Sequence, residues 1–298
     1  MKIFFLKIKS CSFNFLQNLI NFIFKILFKK PMVLSSAHSI KLLLETKKSL
    51  TRFGDGEFSL LMGKSISFQN SSVEIKERLR KIIRNDNSNV LVGIPFSILS
   101  GENLLPIPRN YWRNYYRKNY IKIAENLNFD QLYIDSLLTR FYLDVADKQC
   151  ALENFSLLKQ LWNNQKILII EGERSRLGVG NHLFDNVISS RRIIIPGINA
   201  FGFYRDILST VRHNHQTDEL ILIAAGPTAT ILAYDLANEE RRALDVGHLD
   251  IEYEWMINGA TFKAPVANKN IGDLLILEEN DDFYNEDYEK SIIAKIGL

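Results

Sequence analysis

The chain has 298 residues, 46% of them hydrophobic and 24% charged, with a formal net charge of +3. This is the composition of a globular protein that can bury a core, as one large domain or two small ones. Its two cysteines, Cys11 and Cys150, stand far apart and show no CxxC or Cys/His spacing, which excludes a cysteine-based zinc site and a disulfide framework and fits a reducing compartment.

The charge is unevenly placed. No acidic residue precedes Glu45, whereas Lys2, Lys7, Lys9, Lys25, Lys29, Lys30 and Lys41 all do. The uncharged run 10–24 is about three-quarters of the length that spans a bilayer. Apolar residues such as Phe15, Leu16, Leu19, Ile20, Ile23 and Leu27, bracketed by lysines, suit an amphipathic helix lying on an anionic membrane face. The same pattern serves a helix packed on the protein's own core. A signal peptide is disfavoured, because Lys29-Lys30-Pro31 follows the apolar stretch in place of a small-residue cleavage site. Residues 1–31 are therefore set apart from one compact domain over 32–298.

Beyond Pro31, short apolar β-branched runs alternate with longer helical patterns, the signature of an α/β domain with a mostly parallel sheet and helices on both faces. Strands are expected at 90–94, 167–171, 193–196, 220–225 and 243–246. Helices are expected at 73–84, 110–127, 131–138, 152–162, 181–189, 203–211 and 227–238, spaced for right-handed crossovers. The run Tyr111-Trp112-Arg113-Asn114-Tyr115-Tyr116-Arg117-Lys118-Asn119-Tyr120 interleaves aromatic and basic residues. It reads as a helix with a buried aromatic stripe and a solvated basic face, and a nucleic-acid partner is not expected. The acidic stretch 278–289 is expected after the last strand, as a solvated end.

Ligands of open α/β sheets bind beyond the carboxyl ends of the strands, so the loops there carry the chemistry. Arg52-Phe53-Gly54-Asp55-Gly56-Glu57-Phe58 sets two carboxylates one residue apart in a glycine-rich turn beside an arginine. Asp55 and Glu57 could hold a divalent metal carrying a phosphate, or cap a helix in a solvated turn. Glu171-Gly172-Glu173-Arg174-Ser175-Arg176-Leu177-Gly178-Val179-Gly180-Asn181 offers arginine forks and glycines suited to phosphate, and lacks the third glycine of a dinucleotide fingerprint. Gly226-Pro227-Thr228-Ala229-Thr230 is a helix start whose free amides could meet a phosphate or sugar. Gly247-His248-Leu249-Asp250-Ile251-Glu252-Tyr253-Glu254-Trp255 places one imidazole and three carboxylates within seven residues. If helical, it puts His248 with Glu252 on one face and Asp250 with Glu254 on another. Asn199 could hydrogen-bond a base or sugar, and His213 and His215 are surface residues.

Together and in this order, over about 50–260, these four motifs resemble the GT-D-type glycosyltransferases. The resemblance implies a Rossmann-like domain in a cytoplasmic bacterial enzyme that builds surface glycans or glycosylates surface proteins. It implies a UDP-hexose donor and manganese, or magnesium, held through the Asp-x-Glu motif. Carried over by motif, Asp55 and Glu57 belong to the metal and diphosphate centre, with Arg52 beside them. Arg174, Ser175, Arg176 and Asn181 form the nucleotide-diphosphate loop, joined by Gly226 and Thr228, and the 247–250 segment closes the other side. Asp250 is then the first choice of catalytic base and His248 the second. A metal-dependent phosphohydrolase or nucleotidyl transferase, or a non-catalytic membrane-surface protein, would use the same features otherwise.

Overall fold

The computed structural model describes residues 30–270 and 284–298, together with Leu19. The expected N-terminal membrane helix lies outside these residues. No helix among the described residues is long and apolar enough to cross a membrane.

The strands are β1 (Met32–Val33), β2 (Ser49–Arg52), β3 (Val90–Ile94), β4 (Leu132–Asp135), β5 (Lys166–Gly172), β6 (Ser189–Ile195), β7 (Glu219–Ala224), β8 (Ala243–Asp245) and β9 (Ile292–Lys295). They form one nine-stranded sheet in the order β1-β4-β3-β2-β8-β7-β5-β6-β9, and every pairing is parallel. The helices are α1 (Ser36–Thr46), α2 (Asp55–Leu61), α3 (Val73–Ile83), α4 (Pro106–Ala124), α5 (Lys148–Leu158), α6 (Tyr204–Asn214), α7 (Pro227–Asn238), α8 (Leu249–Ile257) and α9 (Glu286–Ser291).

Because side chains alternate across a strand, the continuous apolar runs feed two cores. Leu168, Ile170, Ile221 and Ile223 point into a core with α3, α4, α6 and α7, while Ile167, Ile169, Leu220 and Leu222 point into a second with α1, α5 and α8. α4 meets its expected pattern: Trp112, Tyr116 and Tyr120 are buried, and Arg113, Arg117 and Lys118 are exposed. α7 runs over the expected residues, with Pro227 at its first position.

Two expected helices do not form. Residues 131–138 become β4 and a 3-10 turn, because Tyr133 and Ile134 are buried in the sheet and the Asp135 carboxylate accepts from the amides of Phe96 and Leu137. Residues 181–189 form turns running into β6, because the Asn181 side chain takes the Leu183 amide and competes with helical bonding. The acidic stretch does not follow the last strand, since β9 comes after it and pairs with β6; its residues 278–283 lie outside the described ones.

Ile169→Ala is expected to cost about 2–5 kcal/mol in urea denaturation, since the residue is wholly buried on β5, between β7 and β6. Val73→Ala, at an 80% exposed position, should stay within about 0.5 kcal/mol of the wild type.

Candidate active site

The carboxyl ends of β2, β4, β5, β6, β7 and β8 open into a cleft of about 680 Å³. Its centre lies where β2 and β8 pair, and its floor is built around Arg52. Arg52 Nε donates to the Asp245 carbonyl at 2.8 Å, Nη2 to Asp245 Oδ1 at 2.7 Å, and Nη1 to the Ser136 carbonyl at 3.1 Å. The guanidinium thus ties together the ends of β2, β8 and β4. Burial pushes the Asp245 carboxyl above its ordinary range, and the Arg52 charge pulls it back. Gly247 has φ +47, and a Cβ there would stand 1.9 Å from Arg52 Nη2, so the arginine requires this glycine.

The Asp-x-Glu turn is the start of α2. Asp55 is exposed on the cleft, and its carboxylate accepts from the Tyr111 hydroxyl. Glu57 Oε2 accepts the Gly54 amide at 2.7 Å, so Glu57 serves as a helix cap as well as lining the cleft. Desolvation pushes its carboxyl up to about 7, with the Gly54 amide opposing and the Asp245 charge adding to the rise.

The 171–181 loop divides its residues between cleft and support. Gly172, Glu173 and Ser175 line the cleft, whereas Arg174, Arg176 and Asn181 do not. Arg176 Nη1 donates to the Asn268 carbonyl at 2.5 Å, and the Arg174 carbonyl accepts from the Asn270 amide at 2.8 Å, so both hold the 260–270 segment against the loop. Asn181 Nδ2 donates to Asp250 Oδ1 at 2.8 Å and Glu254 Oε1 at 2.6 Å. Gly226 lines the cleft, while the buried Thr228 does not, and the Thr228 hydroxyl has no hydrogen-bond partner among the described residues.

The cluster after β8 does take the helical form, as α8, with His248 at its cap, and its carboxylates differ in their partners. Asp250 lines the cleft and is 1% exposed, and its oxygens accept from Lys269 Nζ at 2.7 Å, Asn181 and the Gly178 amide. Burial raises the Asp250 carboxyl, and the Lys269 ammonium opposes that rise. Glu252 Oε2 accepts the Tyr142 and Leu143 amides at 3.0 and 2.8 Å. His248 lines the cleft, with Nδ1 3.4 Å from Arg140 Nη2; arginine only donates, so in this contact the ring proton sits on Nε2. Asn199, considered for base recognition, instead accepts the Asn70 amide at 2.7 Å.

Sequence reasoning passed over Tyr111, Arg140 and Asp144, all of which line the cleft. Tyr111 sits within the aromatic run, whose pattern shows a buried stripe and carries no signal that this ring faces the cleft. Arg140 and Asp144 follow β4, so reading 132–135 as a strand would have marked their loop.

The chain matches the model of the glycosyltransferase GT-D fold over residues 50–274. It is 36% identical over 271 residues to the probable glycosyl transferase Gly of Streptococcus gordonii, covering 89% of this chain and 39% of that protein. It is 32% identical to glycosyltransferase GlyD of Streptococcus pneumoniae serotype 4, covering 94% of this chain and 35% of that one. The chain therefore spans well under half the length of these two relatives. Among solved structures, a domain of unknown function 1792 described as having a distinct glycosyltransferase fold superposes with a TM-score of 0.85 at 33% identity, covering 93% of this chain and all of that one. A glycosyltransferase with the same domain from Streptococcus sanguinis gives 0.82 at 36% identity, covering 89% and 99%.

Replacing Arg52 with alanine leaves Asp245 buried without a counter-charge, and a loss of about 3–5 kcal/mol is expected in denaturant titration. The double variant Arg52→Ala, Asp245→Ala should lose less than the sum of the two single changes. Strict additivity would contradict the coupling.

Proposed function

This chain belongs to the GT-D glycosyltransferase family, and on that premise we propose that it transfers a hexose from a UDP-linked nucleotide sugar to a hydroxyl of a glycan, glycolipid or glycoprotein, with a divalent cation at Asp55. The reading is carried by one observation: the Asp55 carboxylate and the ends of β5, β6 and β7 face the same cleft. A cleft of about 680 Å³ is of the size that small-molecule substrates occupy.

Among the described residues, no three His, Cys, Asp or Glu side chains gather into a metal site of their own. Magnesium and manganese on a nucleotide need no such cluster, since they take one or two carboxylates and complete the shell with phosphate oxygens and water. Asp55, and the Glu57 oxygen that Gly54 does not use, fit that donor set. A cation bound there would neutralise charge developing on the departing diphosphate.

The remaining work falls to the chain. Gly172 and Ser175 border the nucleotide, and Gly172 lets the loops after β5 and β6 approach closely: a Cβ there would lie 3.1 Å from Gly197 Cα. As the bond from the anomeric carbon to the diphosphate oxygen breaks, its electron pair leaves with UDP and the acceptor oxygen forms the new bond. In a transfer with inversion, the acceptor proton passes to His248 Nδ1 as the hydroxyl displaces the long Arg140 contact. Asp250, committed to Lys269 and Asn181, serves by fixing the loop against α8. The lysines of residues 1–30 support peripheral attachment to an anionic cytoplasmic membrane face.

Asp55→Ala should weaken manganese-dependent UDP binding at least about tenfold in calorimetry, or about 1.4 kcal/mol, and abolish sugar transfer without shifting the melting transition. UDP binding that is the same with manganese and with chelator would overturn the metal assignment. Release of phosphate or pyrophosphate, with no sugar gained by an acceptor, would overturn the transfer itself.

A further inference from the structure

The two halves of the cleft differ in chemistry. On the β5–β7 side the lining is rich in backbone, with Gly172, Gly197 and Gly226 allowing close approach. On the β4 side it is a wall of side chains: Ile107 and Tyr111 from α4, and Arg140 and Asp144 from the loop after β4. Ile107 is 84% exposed and Tyr111 48%, so an apolar and an aromatic surface face solvent at the rim.

This wall is held as a unit. The Leu105 amide donates to the Asp144 carbonyl at 2.9 Å and the Ala146 amide to the Asn103 carbonyl at 3.0 Å, fastening the loop to the start of α4. Glu252, buried in α8, clamps the same loop through the Tyr142 and Leu143 amides. Arg140 is thereby set beside His248. Glu252, the second carboxylate of the 248–254 cluster, thus acts as a positioning residue for this loop.

We propose that the β4 half of the cleft is the acceptor subsite and that it takes a neutral saccharide. The assignment rests on the sugar-transfer reading: with the diphosphate at Asp55 and the nucleotide against the glycine-lined half, the acceptor enters from the opposite side of His248. A pyranose has an apolar C–H face and a rim of hydroxyls. Tyr111 offers a ring for the face, and a carboxylate with a guanidinium offers acceptors and donors for the rim. Asp144 and Arg140 carry opposite charges on one wall, which disfavours a strongly anionic or cationic ligand and suits a neutral one.

Saturation-transfer NMR on the whole protein, with N-acetylglucosamine and methyl β-glucoside as probes, tests this without any donor turnover. The expected result is saturation of the ring protons that persists under excess UDP and manganese. It should fall at least about threefold in Tyr111→Ala and in Arg140→Gln, with the melting transition of Arg140→Gln unshifted and its UDP affinity within about twofold of the wild type. In transfer assays, Arg140→Gln should raise the acceptor KM about tenfold or more and leave the donor KM within about twofold. Saturation displaced by UDP, saturation undiminished in both variants, or no saturation by either probe in the wild type overturns the subsite. Absence of UDP binding would instead strike the transfer reading, leaving the saccharide signal to decide the subsite by itself.

Discussion

The guanidinium of Arg52 joins the two halves of the sheet. β2 and β8 share a single register pair, Leu50 with Leu244, so the ladder between the β1-β4-β3-β2 half and the β8-β7-β5-β6-β9 half is thin. Arg52 adds two bonds to Asp245 and one to the carbonyl of Ser136, and the Thr230 hydroxyl donates to the Arg52 carbonyl at 2.9 Å. Two charges this deep are tolerable only because each meets a partner with good geometry. The Asp55 and His248 loops rise from this joint, with the loops after β4 on one side of it and those after β7, β5 and β6 on the other.

Ion pairs and amide bonds hold the buried acidic side chains as supports, some of them at the cleft wall itself. Glu171 is fully buried; it pairs with Arg192 at 2.5 Å and takes the Leu177 amide at 2.6 Å, fixing the loop after β5. Arg192 in turn lies under the Tyr288 ring, 5.1 Å from its centroid, so α9 backs this loop from the edge of the sheet. Asp250 and Glu254 bind Lys269, and Glu252 clamps the loop after β4. Asp55, Asp144 and Glu173 line the cleft, and Asp245 and Asp250 border it from within their buried ion pairs. Rigid loops carried on buried pairs are what a preorganised site requires.

Much of this was legible in the sequence where the physics is local. Continuous apolar runs such as 167–170 and 220–223 can only be strands covered on both faces, and Gly226-Pro227 fixes the start of α7 through backbone chemistry alone. The His248 loop is legible because ligand chemistry in α/β sheets collects after strands, and the Asp55 turn because paired carboxylates beside an arginine suit a metal and a phosphate. What was not legible depended on tertiary contact. Residues 132–135 carry a helical apolar spacing and become a strand only because β1 and β3 flank them. The short strands β1, β2 and β9 have too few residues to show a period. Nor does the sequence distinguish Arg174 and Arg176, which brace the 260–270 segment, from Arg140, which reaches the cleft; that depends on which way each loop folds back.

The central claim is that donor diphosphate and cation meet at Asp55 between the β2 and β5 loops. A crystal soaked with UDP and manganese, measured at the manganese absorption edge, tests it most directly. The expected result is an anomalous peak within coordination distance of the Asp55 carboxylate, about 2.0–2.6 Å, with the uridine lying against Gly172 and Ser175. A peak away from Asp55, or UDP seated in the half bordered by Tyr111 and Arg140, would contradict it.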